Sequence, residues 1–211
     1  MKNLIIIGAR GLGREIYNMM SDCIGFGTDF VVKGYLDDKK DVLLGKIGYP
    51  PIIDSVENYE VQEDDVFFCA LGDVKYKKKY CQLIYDKGGK FQTIVHKNAE
   101  VSKTAEMGQG CFIDRFALIG SDSKLGNNVL VQAFAIIGHD CEIGNFARID
   151  THCTCVGGTK IGDSATIYTN SVINEHVVVG DNAIVGACSF VIRKVKPNTT
   201  VQGNPARKVD F

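Results

Sequence analysis

The stretch IIGHDCEIGNFARI, residues 136–149, holds two Ile-Gly pairs six residues apart, with His139 and Asp140 side by side between them. The spacing runs far beyond this window. Every sixth residue from Val101 is apolar: Val101, Met107, Ile113, Ile119, Leu125, Val131, Ile137, Ile143 and Ile149. The series continues through Cys155, Ile161, Ile167, Ile173, Val179, Val185 and Val191, which makes sixteen apolar positions in register. Glycine directly follows many of them, at 108, 120, 126, 138, 144, 162, 180 and 186. Four residues after each stands a small or β-branched side chain, among them Cys111, Ala117, Ser123, Val129, Ala135, Cys141 and Ala147.

A strict period of six specifies a parallel β-helix built from hexapeptides. Each hexapeptide supplies one short strand and one corner, and three of them close a triangular coil. The large aliphatic residue points into the prism. The small residue fits inside near a corner, where a Leu or Phe would overfill the core. Glycine, and occasionally Asn or Asp, is expected to relieve the backbone at the turns. Cys111, Cys141 and Cys153 fall in the inward small slot and read as structural thiols. A little over five coils, stacked about 4.8 Å apart, predict a prism roughly 25 Å tall. The repeat thus accounts for Ile137, Gly138, Cys141, Ile143 and Gly144, and leaves His139 and Asp140 without a structural assignment.

Residues 1–94 follow a different pattern and are read as a separate α/β domain, with the β-helix over 95–211. NLIIIGA is a buried-strand run, followed by glycines and the amphipathic stretch REIYNMMSDCI. VVKGYLDD and DVFFCALGD are further apolar runs that end in acidic residues, and YKKKYCQLIYDKG reads as a helix closed by glycine. Strand and helix in alternation imply a small Rossmann-like parallel sheet, in which ligands bind beyond the carboxyl ends of the strands.

Composition narrows the function. Hydrophobic residues make up 45% and charged residues 23% of the 211-residue chain, and the net charge of −1 gives no reason to expect nucleic acid or an anionic membrane as partner. The apolar run near the N-terminus is too short for a signal-peptide core or a membrane span, so a cytoplasmic location with eight reduced cysteines is expected. No paired CxxC pattern is present; Cys153 and Cys155 are spaced CxC.

Three strand ends carry ligand-type groups. GARGLG contains Gly8, Arg10, Gly11 and Gly13 in the order G-x-x-G-x-G, which is either a tight turn or a cradle for phosphate at a helix start. Asp37 and Asp38 are either a solvated turn or acceptors for ribose or amino groups, and Gly72 and Asp73 end the third strand. In the β-helix, His139 and His176 fall one position apart on the triangle but two coils apart, and His152 falls on a different side. This disfavours a zinc site within one chain. His152 and His176 read as ordinary exposed histidines. His139 differs because the Asp140 carboxylate can orient it as a general base. One coil later stands Gly157, whose unobstructed N–H can support an oxyanion.

With these residues in view, the chain resembles the bacterial sugar acetyltransferases that join a nucleotide-sugar-binding domain to a left-handed hexapeptide β-helix. That family includes nucleotide-amino-sugar N-acetyltransferases and sialic acid O-acetyltransferases of surface-glycan pathways. The likeness runs through IIIGARGLGREI, YLDD, ALGD, TIVHKNAEVSKTAEMGQGCFI, IIGHDCEIGNFARI and VQGNPARKV. The resemblance implies direct transfer from acetyl-CoA, without an acyl-enzyme and without a metal. It implies that His139 deprotonates the acceptor amine or hydroxyl, that Asp140 tunes it, and that the Gly157 amide holds the thioester carbonyl. It also implies a homotrimer in which Thr169 and Ala187 line the acetyl-CoA groove and Arg207 and Lys208 meet the CoA phosphates. Gly8, Arg10, Gly11, Gly13, Asp37, Asp38, Gly72 and Asp73 would hold the acceptor. Leu12 and Arg148 stand where members of the family carry histidines. An amino group on a nucleotide-linked sugar is the expected acceptor, a sialic-acid-like hydroxyl the alternative. A non-catalytic or metal-binding β-helix protein is the rival from another class.

Overall fold

The computed structural model describes residues 1–209, which divide into two compact units, Met1–His96 and the chain from Lys97 onward. The first unit is a five-stranded parallel sheet with strands β1 (Lys2–Ile7), β2 (Phe30–Leu36), β3 (Ile52–Asp54), β4 (Asp65–Cys69) and β5 (Lys90–Phe91). Their order is β3-β2-β1-β4-β5. The chain builds outward from β1 to β3, then returns to the other side of β1 for β4 and β5. The switch in direction therefore lies between β1 and β4. Leu4 to Ile7 and all of β4 are buried, as central strands covered on both faces require.

Helix α1 (Gly11–Met19) buries Gly13, Ile16 and Met19 along one stripe. Helix α2 (Val74–Asp86) is capped by Asp73, whose side chain accepts from Tyr76 N–H. It ends before Gly88 at φ 78°, a left-handed terminator. Strand β3 was illegible in the sequence because it is three residues long and follows Pro50 and Pro51. Near the start of β4, Asp65 is clamped by the Lys33 ammonium (2.9 Å), the Tyr59 hydroxyl (2.6 Å) and Gln62 N–H (2.9 Å). Burial alone would push this carboxyl up. The bonds from Tyr59, Lys33 and Gln62, with the ammonium charge, hold it below its ordinary 3.8.

The second unit is a triangular parallel β-helix. Face I carries Glu100–Val101, Leu118–Ile119, Ile136–Ile137, Thr154–Cys155, Val172–Ile173 and Phe190–Val191, each pairing in parallel with the next. Face II carries Glu106–Met107, Lys124–Leu125, Glu142–Ile143, Lys160–Ile161 and Val178–Val179. Face III carries Phe112–Ile113, Leu130–Val131, Arg148–Ile149, Thr166–Ile167, Ile184–Val185 and Thr200–Gln202, with Arg207–Lys208 added antiparallel at the end. Partners along a face are eighteen residues apart, as in Ile137↔Cys155. From Ile113 to Val191 every residue of the apolar series is buried, and so are Cys111, Cys141 and Cys153.

The corners correct one expectation. The glycines that follow the aliphatic residues do not adopt turn conformations: none of 108, 120, 126, 138, 144, 162, 180 and 186 has a positive φ. They are glycine because the next coil leaves no room. A Cβ on Gly144 would lie 2.6 Å from Asp163 N, and one on Gly120 2.6 Å from the carbonyl carbon of Gly138. The left-handed residues come two places later, at every sixth position from Gly110 to Cys188, with φ between 55° and 69°. Asp140, His152 and His176 all occupy this slot, so Asp140 has a structural assignment after all. Asn and Asp suit it; Phe and His are strained there. Phe116, Phe134 and His152 offset that strain by stacking along one edge, with ring centroids 5.0 and 4.9 Å apart.

Two outcomes follow from these contacts. Gly144→Ala is expected to destabilise the protein by about 1–3 kcal/mol in chemical denaturation, because its Cβ meets backbone that cannot swing away. The Asp65 network contributes fully above the ordinary carboxyl value of 3.8 and is lost as pH falls through the lower, folded one. Asp65→Asn should therefore lower the thermal midpoint at neutral pH, and that deficit should shrink between about pH 5 and pH 2.

Candidate active site

His139 and Asp140 lie at the corner between faces I and II, which is pinned from both sides. Ser123 of the preceding coil donates its hydroxyl to Gly138 C=O (2.6 Å) and accepts from Cys141 N–H (3.0 Å). Asp140 N–H donates to Ser121 C=O, and His139 C=O accepts from Gly158 N–H, both at 2.9 Å. The side chains are 65% exposed, and His139 Nδ1 lies 2.7 Å from Asp140 Oδ2. With Nδ1 donating into the carboxylate, Nε2 keeps its lone pair and is the atom able to take a proton.

That atom lies on Gly157. A Cβ at Gly157 would stand 2.6 Å from both Nε2 and Cε1 of His139, so the imidazole fills the space the missing side chain vacates. The next glycine does the same for another ring: a Cβ at Gly158 would lie 2.1 Å from His176 Nδ1. Gly157 is buried, and among the described residues its N–H has no acceptor. The corner between faces II and III is built differently. There Gln109, Asn127, Asn145 and Asp163 each donate their N–H to an Asn or Asp side chain one coil on. At Gly157 the residue one coil on is Glu175, which instead faces His176 at 3.8 Å. A buried N–H without a partner is rare.

The remaining β-helix expectations fall elsewhere. Thr169 and Ala187 stack on consecutive coils at the corner between faces III and I, so one prism does not gather them with His139 and Gly157. Arg207 and Lys208 are exposed on the antiparallel end strand of face III. Arg148, also on face III, is locked in a two-pronged bond to Asp150 (2.6 and 3.0 Å) over the Tyr168 ring. A groove of about 540 Å³ runs along face II beside Lys124, Glu142 and Lys160, and none of the sequence-predicted residues lines it. Among the described residues no three His, Cys, Asp or Glu side chains gather as a metal site.

In the first unit, a pocket of about 460 Å³ opens at the carboxyl ends of β1, β2 and β4. Gly8, Arg10, Asp37, Asp38, Gly72 and Asp73 line it, as the strand ends predicted, and Tyr76 and Tyr80 of α2 join them. Asp37 is engaged by backbone, accepting from Ala9 N–H and Lys39 N–H, each at 3.0 Å. Asp38 accepts from the Tyr80 hydroxyl at 2.6 Å, a bond that, with burial, pushes the phenol well above its ordinary range. Gly11 and Gly13 are not among the lining residues. Gly13 packs the helix against the strand, since its Cβ would collide with Gly8 C=O, whereas Gly11 has open space. The N-terminus of α1 has no side-chain cap, leaving the amides of its first turn for another partner. Sequence reasoning missed Tyr76 and Tyr80, whose only signal was their helical spacing from Asp73.

Comparison with known proteins agrees with this architecture. Residues 3–84 match the PglD N-terminal domain, and residues 122–157 and 158–193 match the bacterial transferase hexapeptide (six repeats). The chain is similar to the acetyltransferase domain of PglB from Neisseria gonorrhoeae in complex with acetyl coenzyme A, at 26% identity over 99% of each chain and a TM-score of 0.88. It is similar to WeeI from Acinetobacter baumannii, at 25% identity over 99% of this chain and 100% of the other, TM-score 0.86. The fold is shared with PerB from Caulobacter crescentus in complex with CoA and GDP-perosamine, at 22% identity over 100% and 98% of the chains, TM-score 0.88. No curated protein sequence matches the chain. A parallel β-helix of hexapeptides, preceded by a sheet with a pocket at its strand ends, defines a hexapeptide acyltransferase. The chain combines a PglD-type N-terminal domain with a hexapeptide β-helix, and in this it resembles the bacterial sugar acetyltransferases.

Gly157→Ala should evict the His139 ring from its seat. The expected result is a displaced His139 Cε1–H resonance in the NMR spectrum with an unchanged far-ultraviolet circular dichroism spectrum; an unmoved resonance would contradict the packing.

Proposed function

We propose that the protein transfers an acetyl group directly from acetyl-CoA to the amino group of a nucleotide-linked amino sugar, with His139 as general base. The observation that carries this reading is the 2.7 Å pairing of His139 with Asp140, beside the unpartnered N–H of Gly157. Asp140 orients the ring, Nε2 takes the proton from the attacking amine, and the Gly157 N–H meets the oxygen on which negative charge develops. One backbone donor of that kind typically contributes a factor of about 10²–10³. The acetyl-CoA complex of PglB supports the donor.

The pocket of the first unit suits a nucleotide sugar. Arg10 and the uncapped amides at the start of α1 offer a diphosphate its cation and its N–H donors. Asp38 and Asp73 retain lone pairs for the N–H and O–H groups of base or sugar. GDP-perosamine in the PerB complex is a ligand of this chemical type. The active assembly is a homotrimer, in which a neighbouring prism brings Thr169 and Ala187 to the donor groove and Arg207 and Lys208 to the CoA phosphates. A cytoplasmic setting agrees with eight cysteines that are all free thiols and with the absence, among the described residues, of a helix long and apolar enough to cross a membrane.

The reading is tested by thiol release from acetyl-CoA against nucleotide-linked amino sugars, GDP-perosamine among them, and free sugars including sialic acid. An amino sugar on a nucleotide should be the acceptor turned over. His139→Ala should lower kcat by roughly 10²–10⁴ while sedimentation still reports the trimer. Near-normal turnover in that variant would remove His139 from the mechanism.

A further inference from the structure

The Gly157–Gly158 pair seats two imidazoles, not one. His139 reaches forward from the coil before and His176 reaches back from the coil after, and each ring occupies the side-chain space of one of two successive glycines. Successive Cα atoms are about 3.8 Å apart. The two rings thus rest on neighbouring residues of one coil, although their backbones are two coils apart. Backbone hydrogen bonds hold both in register: Gly158 N–H donates to His139 C=O (2.9 Å) and His176 N–H to Gly157 C=O (3.1 Å). His176 is also held at φ 56°, a conformation that costs an imidazole-bearing residue energy and that Asn or Asp fills more easily at equivalent corners. Glu175, 3.8 Å from His176 Nε2, leaves Nδ1 as the atom that faces the glycines.

We propose that His176 is the proton donor to the sulfur that leaves in the transfer reaction inferred above, on which this assignment rests. Gly157, on which the His139 ring rests, marks with its N–H the place of the thioester carbonyl. The acceptor nitrogen attacks on the His139 side, and the N–C bond forms as its proton passes to His139 Nε2. The C–S bond then breaks on the opposite side, its electron pair goes to sulfur, and the imidazolium of His176 supplies the proton that makes the free thiol. One proton has entered His139 and one has left His176, and exchange with solvent restores both. The products are the amide and CoA, with no other reactant required.

The assignment is read with two donors and one binding measurement on the full chain. In His176→Gln, kcat/KM for the acceptor with acetyl-CoA should fall about ten- to hundredfold. With S-acetyl-5-thio-2-nitrobenzoate, whose aromatic thiolate leaves without a proton, the variant should equal the wild type. A purely structural histidine would depress both donors alike, and that result overturns the proposal. Titration with CoA itself supplies the second readout: the His176 Cε1–H resonance should shift together with that of His139. A shift at His139 alone overturns the role of His176 and leaves the general-base reading standing. Failure of CoA to bind at all overturns both.

Discussion

The closest constraint in this molecule is the approach of one coil to the next. Strands stacked at the β-sheet spacing bring the turn backbone of successive coils so near that a methyl group on Gly120, Gly126, Gly144 or Gly162 would sit within 3 Å of its neighbour's main chain. The six-residue period follows from it. The aliphatic residue fills the prism, the glycine after it lets the coils touch, and the left-handed residue two places further turns the chain into the next face. Because the same three demands recur at every corner, any corner that departs from them stands out. The corner at Gly157 and Gly158 sets two glycines side by side, and the His139 and His176 rings occupy the space their side chains would fill.

The period made the β-helix legible because an inward aliphatic residue every six positions has almost no other physical explanation. The same regularity misled the reading of the corners. Spacing alone does not separate a glycine needed for a positive φ from one needed for clearance, and the sequence shows both types as the letter G. Gly138 and Gly158 differ in this way, since only Gly158 has a positive φ, 68°. Asp140 was legible as a partner for His139 because adjacency suffices for that bond. Its second role, as a left-handed corner residue, shows only when the corners are superposed on Asp122, Asn128, Asn170 and Asn182.

His176 was read as ordinary for a related reason. Counting coils measures the distance between backbones, and by that measure His139 and His176 are far apart. Side chains lean along the prism axis, and both rings reach the intervening coil, at Gly157 and Gly158. In the first unit, the strand ends correctly located the pocket, because a parallel sheet opens where its strand order reverses. The carboxylates there could not be told apart by sequence. Asp37 spends its oxygens on the backbone of Ala9 and Lys39, whereas Asp38 is bound through the Tyr80 hydroxyl and Asp73 through a helix N-terminus.

Arg148 is held in an ion pair of its own. At this position the chain has a guanidinium, which does not give up its proton in a protein. It is further fixed by both oxygens of Asp150, a carboxylate that is 4% exposed, and by the face of Tyr168. Freeing it would leave a buried carboxylate unpaired, a cost of several kcal/mol by the usual penalty for such groups, on the order of 3–5 kcal/mol. The position therefore contributes a fixed positive charge rather than an exchangeable proton. The faces I–II corner differs in kind, since Gly157 and Gly158 there make room for two imidazoles.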